Sequence, residues 1–123
     1  KTDLFDIILS CCNERLNQVK IDWFDKKSLC IVLCSNGYPD TYEKNIKIKN
    51  LNKIKLKKED FIFHAGTVKK NNEILAIGGR VLNFVSLSDD FLDARKKIIK
   101  NLEILDWNEG FYRKDIGHKV IDK

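Results

Sequence analysis

The chain has 123 residues, is 43% hydrophobic and 33% charged, and carries 23 lysines and arginines against 18 acidic residues, a formal charge of +5. That length suits one domain with a real core. No apolar run approaches the roughly 18 residues of a membrane span, and the mixed acidic and apolar start shows no signal peptide.

The chain contains no methionine and begins at Lys1-Thr2-Asp3, directly at a helix cap. The expectation is an internal or C-terminal piece of something longer. The basic excess invites a nucleic-acid reading. However, lysine supplies 19 of the 23 basic residues, and the seven lysines of Lys44 to Lys58 alternate with Ile, Leu and Asn rather than with stacking aromatics. A solvated basic face is the better reading, with no nucleic-acid partner.

In chain order, Thr2 to about Gln18 reads as a helix capped by Thr2, with Asp3 and Asp6 at its positive end. Leu4, Ile8, Cys12, Leu16 and Val19 recur at helical spacing, which predicts a core-facing stripe. Lys20 to Lys27 is a connector around Trp23-Phe24. Ser28 to Ser35 is a short continuous apolar run, consistent with a buried central strand. Asn36-Gly37-Tyr38-Pro39-Asp40 is a dense turn signal; Tyr38 within it and Tyr42 just after it either line a pocket or belong to a loop that covers the sheet edge. Ile46 to Lys58 reads equally as a short strand and turn or as a surface connection.

Phe61 to Leu87 is the centre of the chain and predicts three strands, Phe61 to Thr67, Ile74 to Ile77 and Arg80 to Leu87. Asn71-Asn72 supplies the left-handed residues of a tight hairpin, and Gly78-Gly79 turns the chain again. His64-Ala65-Gly66-Thr67 and Gly78-Gly79-Arg80 would fall near one end of the sheet. There the glycines admit close approach, and a guanidinium suits a phosphate or carboxylate. Ser88 is expected to cap a helix from Asp89 to about Leu105, with Phe91, Ala94, Ile98, Leu102 and Leu105 buried. The tail from Asn108 to His118 is too irregular for a helix and suits an edge strand. Strands, a hairpin and a helix together suggest α+β with a mostly antiparallel sheet.

Catalytic constellations are absent from this pattern. Gly78-Gly79-Arg80 lies between strands and is no phosphate-binding loop of the nucleotide-binding type. Nothing in the spacing of His64 and His118 makes either a base for a nucleophile. Asp89-Asp90 reads as a helix N-terminus. Cys11, Cys12, Cys30 and Cys34 lack zinc-site spacing and are expected to be buried free thiols in a reducing cytosol.

Four motifs, SNGYPDTYEKN (Ser35 to Asn45), FHAGT (Phe63 to Thr67), GGRVL (Gly78 to Leu82) and FYRKDIG (Phe111 to Gly117), stand in this order along the chain. Together they resemble the C-terminal portion of the phosphoribosylamine–glycine ligase family, the glycinamide ribonucleotide synthetases. The resemblance covers essentially all 123 residues. Asp40, Asn45, Asn83 and Ser88 depart from glycine or small residues of the pattern.

The resemblance implies an α+β fold, a mostly antiparallel sheet with a central hairpin covered by helices, as the C-terminal domain of an ATP-grasp ligase. Residues 1–27 would end the ATP-grasp region and residues 28–123 would form a substrate-side domain. The full cytoplasmic enzyme would join glycine to 5-phosphoribosylamine in purine synthesis. ATP and Mg²⁺ would bind upstream of these residues, leaving this piece inactive alone. Its partners would be the upstream domains and the small substrates, with no membrane and no nucleic acid. Arg80 would face the substrate phosphate, Gly78 and Gly79 would give backbone access, and Gly66, Thr67 and His64 would lie beside it. Competing readings are a free-standing basic module for RNA or a phosphorylated ribose ligand, and the C-terminal domain of another ATP-grasp ligase such as a biotin-dependent carboxylase. The Gly-Tyr-Pro and His-Ala-Gly-Thr motifs argue against the last.

Overall fold

A computed structural model describes residues 1–121. Its centre is a pair of nine-residue antiparallel strands, β1 (Lys27–Ser35) and β6 (Arg80–Ser88). Between them in sequence lie β2 (Ile46–Lys47), β3 (Asp60–His64), β4 (Thr67–Lys70) and β5 (Glu73–Ala76). α1 (Leu4–Cys12) precedes β1, while α2 (Phe91–Leu105), β7 (Gly110–Phe111) and α3 (His118–Ile121) follow β6. The strands form one sheet in the order β3-β6-β1-β7 and a second in the order β2-β5-β4. Every described pairing is antiparallel, as the α+β expectation required.

Alternation along the strands decides which side is core. Leu29, Ile31 and Leu33 of β1 and Leu82 and Phe84 of β6 point to one face, where α2 covers them with Ala94, Ile98, Leu102 and Leu105. Each large apolar side chain buried there contributes about 1.5–3 kcal/mol. Cys30, Val32, Cys34, Asn83 and Val85 point to the opposite, open face. Phe61 and Phe63 of β3 stack on that face with ring centroids 5.9 Å apart and stay exposed.

One irregularity sets what the open face carries. Leu33 pairs with Leu82, but Cys34 pairs with Arg80, so Val81 is an extra residue at a β-bulge. Residues opposite each other in an antiparallel pair point the same way. Without the bulge Cys34 would face Val81. With it, Arg80 shares the open face with Cys34 and Asn83.

The structure corrects several expectations. The first helix is shorter than Thr2 to Gln18. It is capped by Asp3, whose side chain accepts from the Phe5 N–H, and it ends at Cys12 before Glu14 in the left-handed region. Its apolar stripe does not face the core: α1 buries no residue, and Leu4, Phe5 and Ile8 are 67%, 68% and 54% exposed. Amphipathic spacing identifies an apolar side but not the body that covers it. The thiols are free but not buried: Cys11 and Cys12 are exposed on α1, which buries no residue, and Cys30 is exposed and Cys34 half-buried because only one face of β1 is covered by a helix.

The span Phe61 to Thr67 is not one strand. It breaks at Ala65-Gly66 into β3 and β4, which belong to different sheets. The expected hairpin joins β4 to β5, with Asn71 and Asn72 both left-handed. Asp90, not Ser88, caps α2 by accepting from the Asp93 N–H. Within Ile46 to Lys58 the structure has a short strand, then a 3₁₀ turn at Leu51–Lys53.

Polar ties fasten the periphery to this core. The Trp107 indole donates to the Lys47 carbonyl at 3.1 Å, holding the second sheet beside the end of α2. Arg95 donates to the carbonyls of Ile116 and Lys114 and anchors the tail. At the start of α2, Asp93 accepts from Lys97 at 2.7 Å and from the Ser88 hydroxyl. The Lys97 hydrogen bond, and then that of Ser88, hold the Asp93 carboxyl below its ordinary value.

A depressed folded-state pKa gives stability that is present above the unfolded value, about 3.9, and lost as pH falls through the lower folded value. Urea midpoints between pH 6 and pH 2.5 should therefore fall less steeply below about pH 4 in Asp93→Asn than in the parent chain. Identical acid slopes would contradict the assignment.

Candidate functional site

Gly66 is where the two sheets meet. Its N–H donates to the Arg80 carbonyl at 2.8 Å, continuing the β3-β6 edge. Its carbonyl accepts from Ile77 at 2.8 Å and Gly78 at 3.1 Å, on the side of the second sheet. The crossing has no room for a side chain: a Cβ on Gly66 would lie 2.6 Å from Gly78 Cα and 2.7 Å from the Arg80 carbonyl oxygen. The glycines at this corner thus let two backbones pass.

The loop after β1 closes the corner from the other side. Ser35 takes up both neighbouring carbonyls, its N–H donating to Gly79 at 2.8 Å and its hydroxyl to Gly78 at 2.9 Å. The chain then folds back through Gly37, whose φ of 92° favours glycine, and lays the Tyr38 ring on Gly79. A Cβ at Gly79 would meet that ring at 2.1 Å. Tyr42 packs beside Tyr38 with ring centroids 6.4 Å apart and a 58° tilt.

These contacts leave a cleft of about 490 Å³ on the open face. Tyr38 and Tyr42 form one wall, Ala65, Gly66 and Gly79 the corner, and Val32, Arg80 and Asn83 the floor. Arg80 is the cleft's one cation, and among the described residues it has no ion-pair partner. The other arginines of the second half are committed: Arg95 to two carbonyls, Arg113 to both carboxylate oxygens of Asp115 through Nε and Nη2. The charge of Arg80 reaches Cys34, whose thiol is pushed up by burial and partly drawn back by the guanidinium. A free guanidinium in a cleft without a carboxylate is suited to an anion.

The structure brings together only part of the site expected from the sequence. Arg80, Gly66 and Gly79 line the cleft; Gly78 supports it from beneath through its contact with Gly66. His64 and Thr67 do not line it. They share a hydrogen bond of 2.9 Å between Nδ1 and Oγ1, and alternation along β3 puts His64 on the side of Asp60 and Ile62. Tyr38 and Tyr42 are pocket residues, one of their two expected roles. Asn83 was missed; its only sequence signal is a carboxamide interrupting an apolar strand.

A broader hollow of about 740 Å³ lies between Lys47–Asn52 and Asn71–Ile74; its Lys47 is paired with Glu73, and Lys49 is its other cation. Among the described residues no three His, Cys, Asp or Glu side chains group as metal ligands.

Residues 28–119 match the family described as phosphoribosylglycinamide synthetase, C domain. The chain is 38% identical over 117 residues to a phosphoribosylamine–glycine ligase of Caldanaerobacter subterraneus, covering 95% of this chain and 27% of that protein. It is 41% identical over 118 residues to the Fusobacterium nucleatum ligase, covering 95% and 28%. To a bifunctional purine biosynthetic protein of Dictyostelium discoideum it is 41% identical over 123 residues, covering 99% and 15%. The crystal structure of a Thermotoga maritima phosphoribosylamine–glycine ligase matches with a TM-score of 0.67 and 28% identity, over 89% of this chain and 27% of that one. The chain therefore spans between 15% and 28% of the length of these relatives.

The glycine crossing has a direct consequence. Gly66→Ala forces a methyl against two backbones that have no rotamer to yield, and should cost about 1–3 kcal/mol by urea denaturation. Unchanged stability would contradict the close approach of Gly66 to Gly78.

Proposed function

We propose a function from the fact that this chain belongs to the phosphoribosylglycinamide synthetase C-domain family: it is the substrate-side domain of a ligase that joins glycine to 5-phosphoribosylamine in purine synthesis. The names and lengths of the relatives support this reading, since phosphoribosylamine–glycine ligases match 95% of the chain with about a quarter of their own length. The domain's part is recognition. Its cleft supplies a guanidinium, two tyrosine rings and a carboxamide. That donor set has no carboxylate and does not fit Mg²⁺, whose sites are built from oxygen ligands. ATP and Mg²⁺ are assigned to the remainder of the ligase, and no chemical step is placed on these residues.

The observation that carries the proposal is the unpaired Arg80 beside the Gly66 and Gly79 corner. We assign Arg80 to the phosphate of phosphoribosylamine, as a charge-assisted contact worth about 1.5–3 kcal/mol. Gly79 lines the cleft under the Tyr38 ring, Gly78 packs on Gly66 beneath it, and the His64–Thr67 pair stiffens the strand end behind it.

Residues 1–27 are assigned to the end of the ATP-grasp region. The apolar side of α1 and Trp23, 77% exposed, buries nothing in this chain, and the family match begins at residue 28. The occupant of that side is then the preceding part of the ligase. Lys26 ties the end of the connector to the domain through Asp89 at 2.8 Å and Glu59 at 3.5 Å.

In the full-length enzyme, Arg80→Ala should raise KM for phosphoribosylamine roughly ten- to hundredfold, with KM for ATP and glycine nearly unchanged. Wild-type kinetics for all three substrates would end the assignment. Removing residues 1–25 from this chain should leave its thermal midpoint within a few degrees of the parent. Loss of the cooperative transition would place α1 inside the domain instead.

A further inference from the structure

Asn83 is a polar side chain in the cleft that neither the fold nor the phosphate contact uses. It sits mid-strand on β6, flanked by Val32 of β1 and Phe63 of β3. It is half-buried, and among the described residues its carboxamide makes no hydrogen bond. Asparagine is depleted from strands, so sheet formation does not account for it. A carboxamide among apolar neighbours needs partners, and here its free side opens on the cleft.

The bulge at Val81 matters a second time. Residues three apart on a regular strand point to opposite faces, but the extra residue puts Arg80 and Asn83 on one face, roughly 7 Å apart at normal strand rise, because their partners Cys34 and Val32 are two residues apart on β1. The cleft floor thus has a cation at one end and a carboxamide at the other. A carboxamide offers donors and an acceptor together. Phosphate oxygens use only donors, whereas hydroxyl groups use both.

We propose that Asn83 recognises the ring hydroxyls of a phosphorylated pentose whose phosphate lies on Arg80, which makes it a specificity-determining residue of the substrate cleft. The inference rests on the Arg80 assignment and adds a sugar contact to it.

Calorimetric titration of the full-length ligase with ribose 5-phosphate, and separately with inorganic phosphate, tests both parts. Asn83→Leu, similar in volume, should weaken ribose 5-phosphate about tenfold and leave inorganic phosphate unchanged. Asn83→Ala should do the same, which separates the lost amide from any effect of a leucine side chain. Arg80→Met should weaken both ligands. If both Asn83 variants bind ribose 5-phosphate as the parent does while Arg80→Met loses both ligands, the sugar contact is overturned and the phosphate assignment stands. If Arg80→Met changes neither, the phosphate assignment falls and the sugar contact with it.

Discussion

One inserted residue governs what this domain presents. Val81 is fully buried, and its presence between Arg80 and Leu82 shifts the register against β1 by one position. A shift of one residue exchanges the faces of a strand. Leu82 and Phe84 stay beneath α2, whereas Arg80 is turned to the face that no helix covers. The charge is therefore held out of the core by strand geometry, on the floor of a cleft whose walls come from distant parts of the chain.

The glycines complete that arrangement by what they leave out. Gly66 donates into the first sheet and accepts from the chain leading out of the second, so it is the hinge point of both. Gly79 is covered by Tyr38, and Ser35 binds the carbonyls of Gly78 and Gly79 from the loop side. The resulting corner is tied by backbone hydrogen bonds and lined by small residues. A rigid corner of this kind orders a ligand without losing much of its own conformational freedom. Arg80 can then act as a fixed charge on the cleft floor.

Much of this was legible in the sequence where local chemistry decides the outcome. Two consecutive asparagines specified the β4-β5 turn, the stripe of α2 specified its buried side, and the apolar run of β1 specified a central strand. Arg80, Gly66 and Gly79 were legible as neighbours at one sheet corner because glycine marks close approach of backbones. What escaped was set by tertiary context. Nothing local distinguishes a β1 face covered by a helix from one left open, so Cys30 and Cys34 read as buried. The apolar spacing of α1 is real, but none of the described residues buries it. The break at Ala65-Gly66 interrupts a run that otherwise looks like one strand. Asn83 joins Arg80 only through the bulge, which apolar patterning does not announce.

The account makes Arg80 and its corner, rather than the lysine-rich stretch from Lys44 to Lys58, the place where a phosphorylated sugar lands. Titrating the ¹⁵N-labelled chain with ribose 5-phosphate and following its amide and guanidinium signals by NMR tests this directly. The prediction is saturable shifts at the Arg80 Nε–H, at the amides of Gly66 and Gly79, and at the Asn83 side chain, with the lysine-rich stretch unmoved. Shifts confined to Lys44 to Lys58, or no saturable shift at Arg80, would contradict it.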